Sequence, residues 1–73
     1  MTAPTTYTEL GRILTLLGFL AREQRRARGL SLRAAAKEIG VSFSTLDRIE
    51  GGENAQIDSA LAILKWLDRS VKS

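Results

Sequence analysis

Two hydroxyl-led segments carry the polar groups on which any chemistry of this chain must rest. Ser42 is followed by Phe43, Ser44, Thr45 and, one turn further on, Arg48; Ser31 is followed by Arg33 and Lys37. These side chains suit hydrogen bonding better than bond making. A guanidinium such as that of Arg48 reaches two acceptors at once, as on O6 and N7 of a guanine. The hydroxyls of Ser44 and Thr45 serve a base or a phosphate equally, and the Phe43 ring packs on an apolar group such as a thymine methyl. The competing readings are a hydrophobic staple or protein contact for Phe43, and for Arg48 a salt bridge to Asp47, Glu50 or another neighbouring acid. Covalent chemistry is poorly served. The chain has no histidine and no cysteine, which removes the commonest general base, the commonest metal ligand and the thiolate nucleophile. Carboxylates alone are not how structural zinc is held. Gly51-Gly52 follows a helical segment instead of leading into one, so it does not cradle a phosphate. The expectation is a protein that is not an enzyme and that needs neither cofactor nor metal.

Stepping from these groups to the elements that must hold them, residues 30–52 read as two short helices and a tight turn. Ser31 caps the first and Ser42 the second. Gly40 sits where the chain stops and reverses. The first of these helices runs from Ser31 to Ile39, with Leu32 or Ala35, then Ala36 and Ile39, facing inward. Its alanines let the next helix cross closely. The second runs from Ser42 to about Glu50, with Leu46 and Ile49 inward and Val41 filling the corner. Gly51-Gly52 ends it. Such a pair is the layout that sends its second helix into the major groove of duplex DNA.

The flanks are helical as well. Thr6 and Glu9 match a capping box, and Leu10, Ile13, Leu14, Leu17 and Leu20 recur at helical spacing. Leu16 and Phe19 lie off that stripe and widen it. The helix turns basic at Arg22, Arg25 and Arg26, which suits the negative end of its dipole, and stops at Gly29. Gly11 and Gly18 each cost it about 1 kcal/mol against alanine, tolerable where another helix approaches closely. A last helix starts near Ile57 or Asp58 and carries Leu61, Leu64 and Leu67, with Ala60, Ile63 and Trp66 beside them. Strand alternation is absent. The fold class expected is all-α, a bundle of four helices or of five. Residues 1–5 read as a flexible lead, 6–69 as one domain, and 70–73 as a frayed tail.

Seventy-three residues with a net charge of +3 make one small core of modest stability. The charge is uneven. Residues 1–40 hold seven basic and three acidic side chains, residues 41–73 four and five. A basic half fits a polyanionic partner such as nucleic acid, or simply a solvated helix face. The apolar run 10–20 is too short to span a bilayer and has no secretory leader, so a soluble cytoplasmic protein, on the nucleoid when bound, is expected.

At residues 29–52 the chain resembles the phage-repressor and Cro-type (XRE-like) helix-turn-helix family. The likeness is carried by Gly29-Leu30-Ser31, by Ala36 four residues ahead of Gly40, by Gly40-Val41-Ser42, and by the run Leu46-Asp47-Arg48-Ile49-Glu50-Gly51-Gly52. It extends back to Arg22 and Arg25 and forward to Leu61 and Leu67. The resemblance implies a lambda-repressor-like bundle that binds double-stranded DNA, often as a homodimer on a palindromic site. It implies base reading by Phe43, Ser44 and Arg48. Ser31, Arg33, Lys37, Ser42, Thr45, Arg22, Arg25 and Arg26 become candidate phosphate contacts, two or three of the five cations Arg22, Arg25, Arg26, Arg33 and Lys37 being enough. Four departures stand out. Leu32 replaces a usual DNA-touching glutamine, Ala35 a usual leucine, and Ala55 a usual proline, while the chain ends at Ser73 with little room for a fifth helix. Trp66 stands where a small residue is common. It covers the core or, with Leu16 and Phe19, forms a dimer or partner contact. The function expected is that of a sequence-specific transcriptional regulator, a repressor foremost, of phage or other prokaryotic type. The alternative is a protein-interaction module, such as an antitoxin or a repressor antagonist built on the same bundle.

Overall fold

Four helices account for most of residues 6–72, the residues that the computed structural model describes: α1 (Thr6–Ala27), α2 (Leu32–Ile39), α3 (Phe43–Glu50) and α4 (Ile57–Lys72). No strand occurs among the described residues, as the all-α reading expected, and no fifth helix is present among them. The lead at 1–5 and Ser73 lie outside the described residues. Helix α1 begins at Thr6, where the capping-box reading placed its start. The rest of the expected 70–73 tail is helix through Lys72.

The helices stop for a shared reason. At Gly40 the backbone turns left-handed, with φ 96°, a conformation that costs glycine nothing. The Gly40 and Val41 N–H groups then both reach back to the Ala36 carbonyl, at 2.8 and 3.1 Å. The end of α1 (Leu30 N–H to Arg25 carbonyl) and that of α3 (Glu53 N–H to Arg48 carbonyl) use the same six-residue backbone loop. Three abrupt stops turn a short chain into separate rods.

Helix α1 packs on α3 and α4, and α2 packs on the same two. The core comprises Leu17, Ala21, Ala35, Ala36, Ile39, Leu46, Ile49, Ala55, Ala60, Ile63 and Trp66. The inward residues expected for α2 and α3 are there, and Leu32 and Val41 lie at the margin. The expected faces of α1 and α4 are displaced. Leu17 is buried, but Leu10, Ile13 and Leu20 are exposed, as are Leu61 and Leu64. Close approach explains the first shift. A Cβ on Gly18 would collide with the Ile49 carbonyl group, so bare backbone and Ala21 meet the neighbouring helices while the leucines are turned aside. Trp66 explains the second. It is 1% exposed, so with Ile63 and Ala60 it claims the inward face of α4. Trp66 is therefore a core residue and not a dimer or partner contact.

Its indole N–H donates to Glu38 Oε1 at 2.9 Å, and Arg28 Nη1 donates to the same oxygen at 2.7 Å and to Ser70 Oγ at 3.3 Å. One carboxylate thus ties α2, α4 and the chain just after α1. The hydrogen bond from Arg28, then that from Trp66, hold the Glu38 carboxyl below its ordinary range.

Two outcomes are expected. Gly18→Ala should destabilise by about 1–3 kcal/mol through overpacking. Gly11→Ala, where an added Cβ meets nothing, should stabilise by about 0.5–1 kcal/mol. Thermal unfolding of the two variants checks this, and equal shifts would refute it. Because the carboxyl of Glu38 binds its proton more weakly folded than unfolded, its contribution is complete above the ordinary carboxylate range and fades as pH falls through the lower folded value. Unfolding followed by fluorescence of Trp66, the single tryptophan, should lose stability between about pH 5 and pH 3, and Glu38→Gln should lose less of it over that interval.

Candidate nucleic-acid interface

The two short helices present their N-terminal ends through matching caps. Ser31 Oγ accepts the Ala34 N–H at 3.0 Å, and Ser42 Oγ accepts the Thr45 N–H at 3.0 Å. Ser42 also donates its hydroxyl proton to Thr45 Oγ1 at 2.8 Å. Both serine oxygens are thereby engaged in capping, but only Ser42 has also given up its proton, so the Ser31 hydroxyl keeps one to donate. The caps leave to an anion the remaining N–H groups of each first turn, which have no partner within the helix. The Thr45 hydroxyl, accepting from Ser42, retains its own proton for donation.

The outward side of α3 follows from its buried side. Leu46 and Ile49 point into the core, so Ser44 and Arg48, four residues apart, share the opposite, exposed side. Arg48 Nε lies 3.7 Å from Glu53 Oε1, with both side chains mostly in solvent at 59% and 67% exposure. A pair of that kind is worth about 0–1 kcal/mol, so it restrains Arg48 weakly and exchanges readily for a stronger acceptor. Asp47 is exposed beside them, an acid that sequence reasoning had weighed only as an ion-pair partner. It lines one shallow groove with Arg22, Arg25, Leu32, Glu50 and Gly51.

Phe43 is the first residue of α3. It is 39% exposed, and the Arg33 guanidinium carbon lies 4.5 Å from its ring centroid, a cation–π stack. The structure thus joins a residue expected to read bases and one expected to touch phosphate. Nothing in the sequence announces the pairing, because the two lie ten residues apart on different helices. Lys37, one turn beyond Arg33, is exposed, as are Arg22 and Arg26.

Arg25 is placed otherwise than expected. Its Nε and Nη2 donate to the two Glu50 carboxylate oxygens, both at 2.9 Å, and Nη1 donates to the Leu30 carbonyl at 3.1 Å. The side chains of Arg25 and Glu50 are 17% and 7% exposed. The hydrogen bond to Glu50, opposed by desolvation and supported by the charge of Glu50, raises the Arg25 pKa further. With three of its five N–H donors engaged and its side chain 17% exposed, Arg25 is a clasp between α1 and the last turn of α3 and not a free surface cation. Leu16 and Phe19, the other expected partner contacts, are exposed and line a groove along α1 with Thr8, Gly11, Arg12, Thr15 and Asn54. Among the described residues no helix is long and apolar enough to cross a membrane, and no three acidic side chains gather where they could hold a metal ion.

A family model described as a helix-turn-helix domain matches residues 9–68. No curated protein and no solved structure is similar enough to count as a match.

Removing one member of the clasp leaves the other charge half-buried and unpaired. Arg25→Ala should cost about 2–5 kcal/mol of stability, whereas Arg26→Ala, on the exposed side of the same turn, should stay within about 0.5 kcal/mol. Chemical denaturation of the two variants tests the assignment. Equal midpoints would return Arg25 to the surface cations.

Proposed function

The chain belongs to the helix-turn-helix domain family, matched over most of its length, and from that premise we propose that it binds duplex DNA sequence-specifically as a transcriptional regulator, laying the segment 42–50 in the major groove. The observation that carries this reading is the shared outward side of Ser44 and Arg48 on a rod whose other side is pinned to the core. Residues at i and i+4 read neighbouring base pairs along the groove. Exposed cations flank the rod. Lys37 stands on α2, and Arg22 and Arg26 on α1, giving the phosphate contacts that set register and supply salt-dependent affinity. The first-turn N–H groups of α2 and α3 add uncharged donors. The role is binding and not catalysis, and it needs no cofactor. Repression is the regulatory sign proposed, on the resemblance of residues 29–52 to phage repressors, and the site of action is the cytoplasmic nucleoid.

A single recognition helix binds weakly, so the functional unit proposed is a homodimer on a palindromic site. Exposed apolar rows support it: Ile13, Leu16 and Leu20 with Phe19 on α1, and Ile57, Leu61 and Leu64 on α4. Monomers seldom leave so much large apolar surface uncovered, and the same patch on two copies pairs through a two-fold axis. These rows also favour the second reading, a partner-binding module such as an antitoxin. A stoichiometric protein partner recovered without DNA, from a chain that has no DNA affinity, would establish that reading in place of the first.

Selection of bound duplexes from a random pool, followed by titration at several salt concentrations, tests the proposal. The expected product is an inverted repeat with half-site centres about 34–36 Å apart. Arg48→Ala should cost about 1–3 kcal/mol and relax one base pair per half-site, while Lys37→Ala should weaken all sequences alike and lower the salt slope by about 1. Absence of any salt-dependent affinity would overturn the DNA reading, and uniform losses in both variants would overturn the division of roles.

A further inference from the structure

We infer that Arg33, carried on the ring of Phe43, is a specificity-determining residue that reads guanine, and that the two side chains together recognise a step in which a 5-methylated pyrimidine adjoins that guanine. The inference deepens the DNA-binding reading and rests on it.

Three observations converge on this pair. The first is the stack itself, with the guanidinium 4.5 Å from the ring centroid. Stacking engages the face of a guanidinium and leaves its edge, with the in-plane N–H donors, directed outward. A freely rotating arginine would lose its rotamer freedom on binding, and this one has surrendered much of it beforehand. The second is its lack of competition. Arg25, Arg28 and Arg48 each face a carboxylate, but among the described residues no carboxylate stands within ion-pair distance of Arg33. Its donors are therefore available to an incoming acceptor. The third is location. Phe43 opens α3 directly after its cap, and Arg33 lies in the first turn of α2. The ring thus lifts an α2 side chain to the level of the end of α3 that approaches the bases.

The chemistry of the occupant follows. A planar fork presenting parallel N–H groups matches the O6 and N7 acceptors of guanine. The ring cannot hydrogen-bond, and the apolar group that the major groove offers it is a pyrimidine 5-methyl. The 4.5 Å separation of the two groups is close to the rise of about 3.4 Å between successive bases on a strand. They therefore address adjacent bases and not the same base or distant ones. A phosphate would also accept a fork, but it would ask nothing of the ring.

The test uses the full chain and the duplex it selects, prepared in three forms: unmodified, with deoxyuridine in place of the thymine of the step, and with 7-deazaguanine in place of its guanine. The wild type should lose about 2- to 10-fold in affinity on the 7-deazaguanine duplex, which removes N7 but keeps O6 and so forfeits about half of one bidentate contact, and a smaller factor on the deoxyuridine duplex. Arg33→Lys keeps the charge but has no fork. It should bind the unmodified duplex more weakly and show a smaller loss with 7-deazaguanine than the wild type, because an ammonium reaches the same acceptors without the fixed fork. Phe43→Leu should reduce the penalties for both modified bases, because the ring holds the fork. Both side chains lie at the surface, and circular dichroism should show both variants folded. Retention of the full 7-deazaguanine penalty in Arg33→Lys, or a selected sequence with no such step, would overturn the inference while leaving DNA binding intact. Loss of all DNA affinity in the wild type would remove both.

Discussion

The Arg25 guanidinium joins three parts of the chain at once, and the attitude of α3 follows from it. Two of its donors meet both oxygens of Glu50 on the last turn of α3, and the third meets the carbonyl of Leu30 in the stretch that leads to α2. Two turns earlier on α1, the bare backbone of Gly18 lies against the Ile49 carbonyl. A contact that admits no side chain and a fork that accepts one geometry together specify both the distance and the tilt of α3 against α1. Electrostatics alone would not hold such a pair, because partial burial costs nearly what attraction returns. Its value lies in register. The outward residues of α3 have a defined direction only because the inward ones have no slack.

From that constraint the division of charges follows. Among the described cations, two are structural. Arg25 serves the α1–α3 clasp, and Arg28 serves the carboxylate of Glu38, which also takes the indole N–H of Trp66. These bonds tie the chain following α1 to α2 and α4. The remaining cations of α1 and α2 (Arg12, Arg22, Arg26, Arg33 and Lys37) stay exposed. The basic character of residues 1–40 is thus partly internal cement and partly a surface field, and only the second part is offered to a polyanion.

Much of this was legible in the residues. The caps at Ser31 and Ser42 and the left-handed turn at Gly40 are local chemistry, written in a few adjacent positions, and they stand where they were expected. The inward pair Leu46 and Ile49 followed from spacing alone. What was not legible is what depends on rotation about a helix axis. Helix α1 has large apolar residues on more than one side, so periodicity could not decide which side faces in; the close approach at Gly18 did. In α4 the leucines and the Ala60–Ile63–Trp66 row compete, and the buried indole with its Glu38 acceptor decided the outcome. Long-range pairs such as Arg25 with Glu50, or Arg33 with Phe43, leave no mark in sequence, because their members sit on different helices and acquire proximity only from the fold.

The central claim is that the outward side of α3, held by the α1 clasp, is the surface that meets duplex DNA. The most direct measurement is backbone amide and Trp66 indole perturbation by NMR as a selected duplex is titrated into labelled protein. The account predicts the largest shifts in the first turns of α2 and α3 and at Ser44 and Arg48, with the Trp66 indole signal unmoved. Perturbations gathered instead along the exposed rows of α1 and α4, with α3 silent, would contradict it.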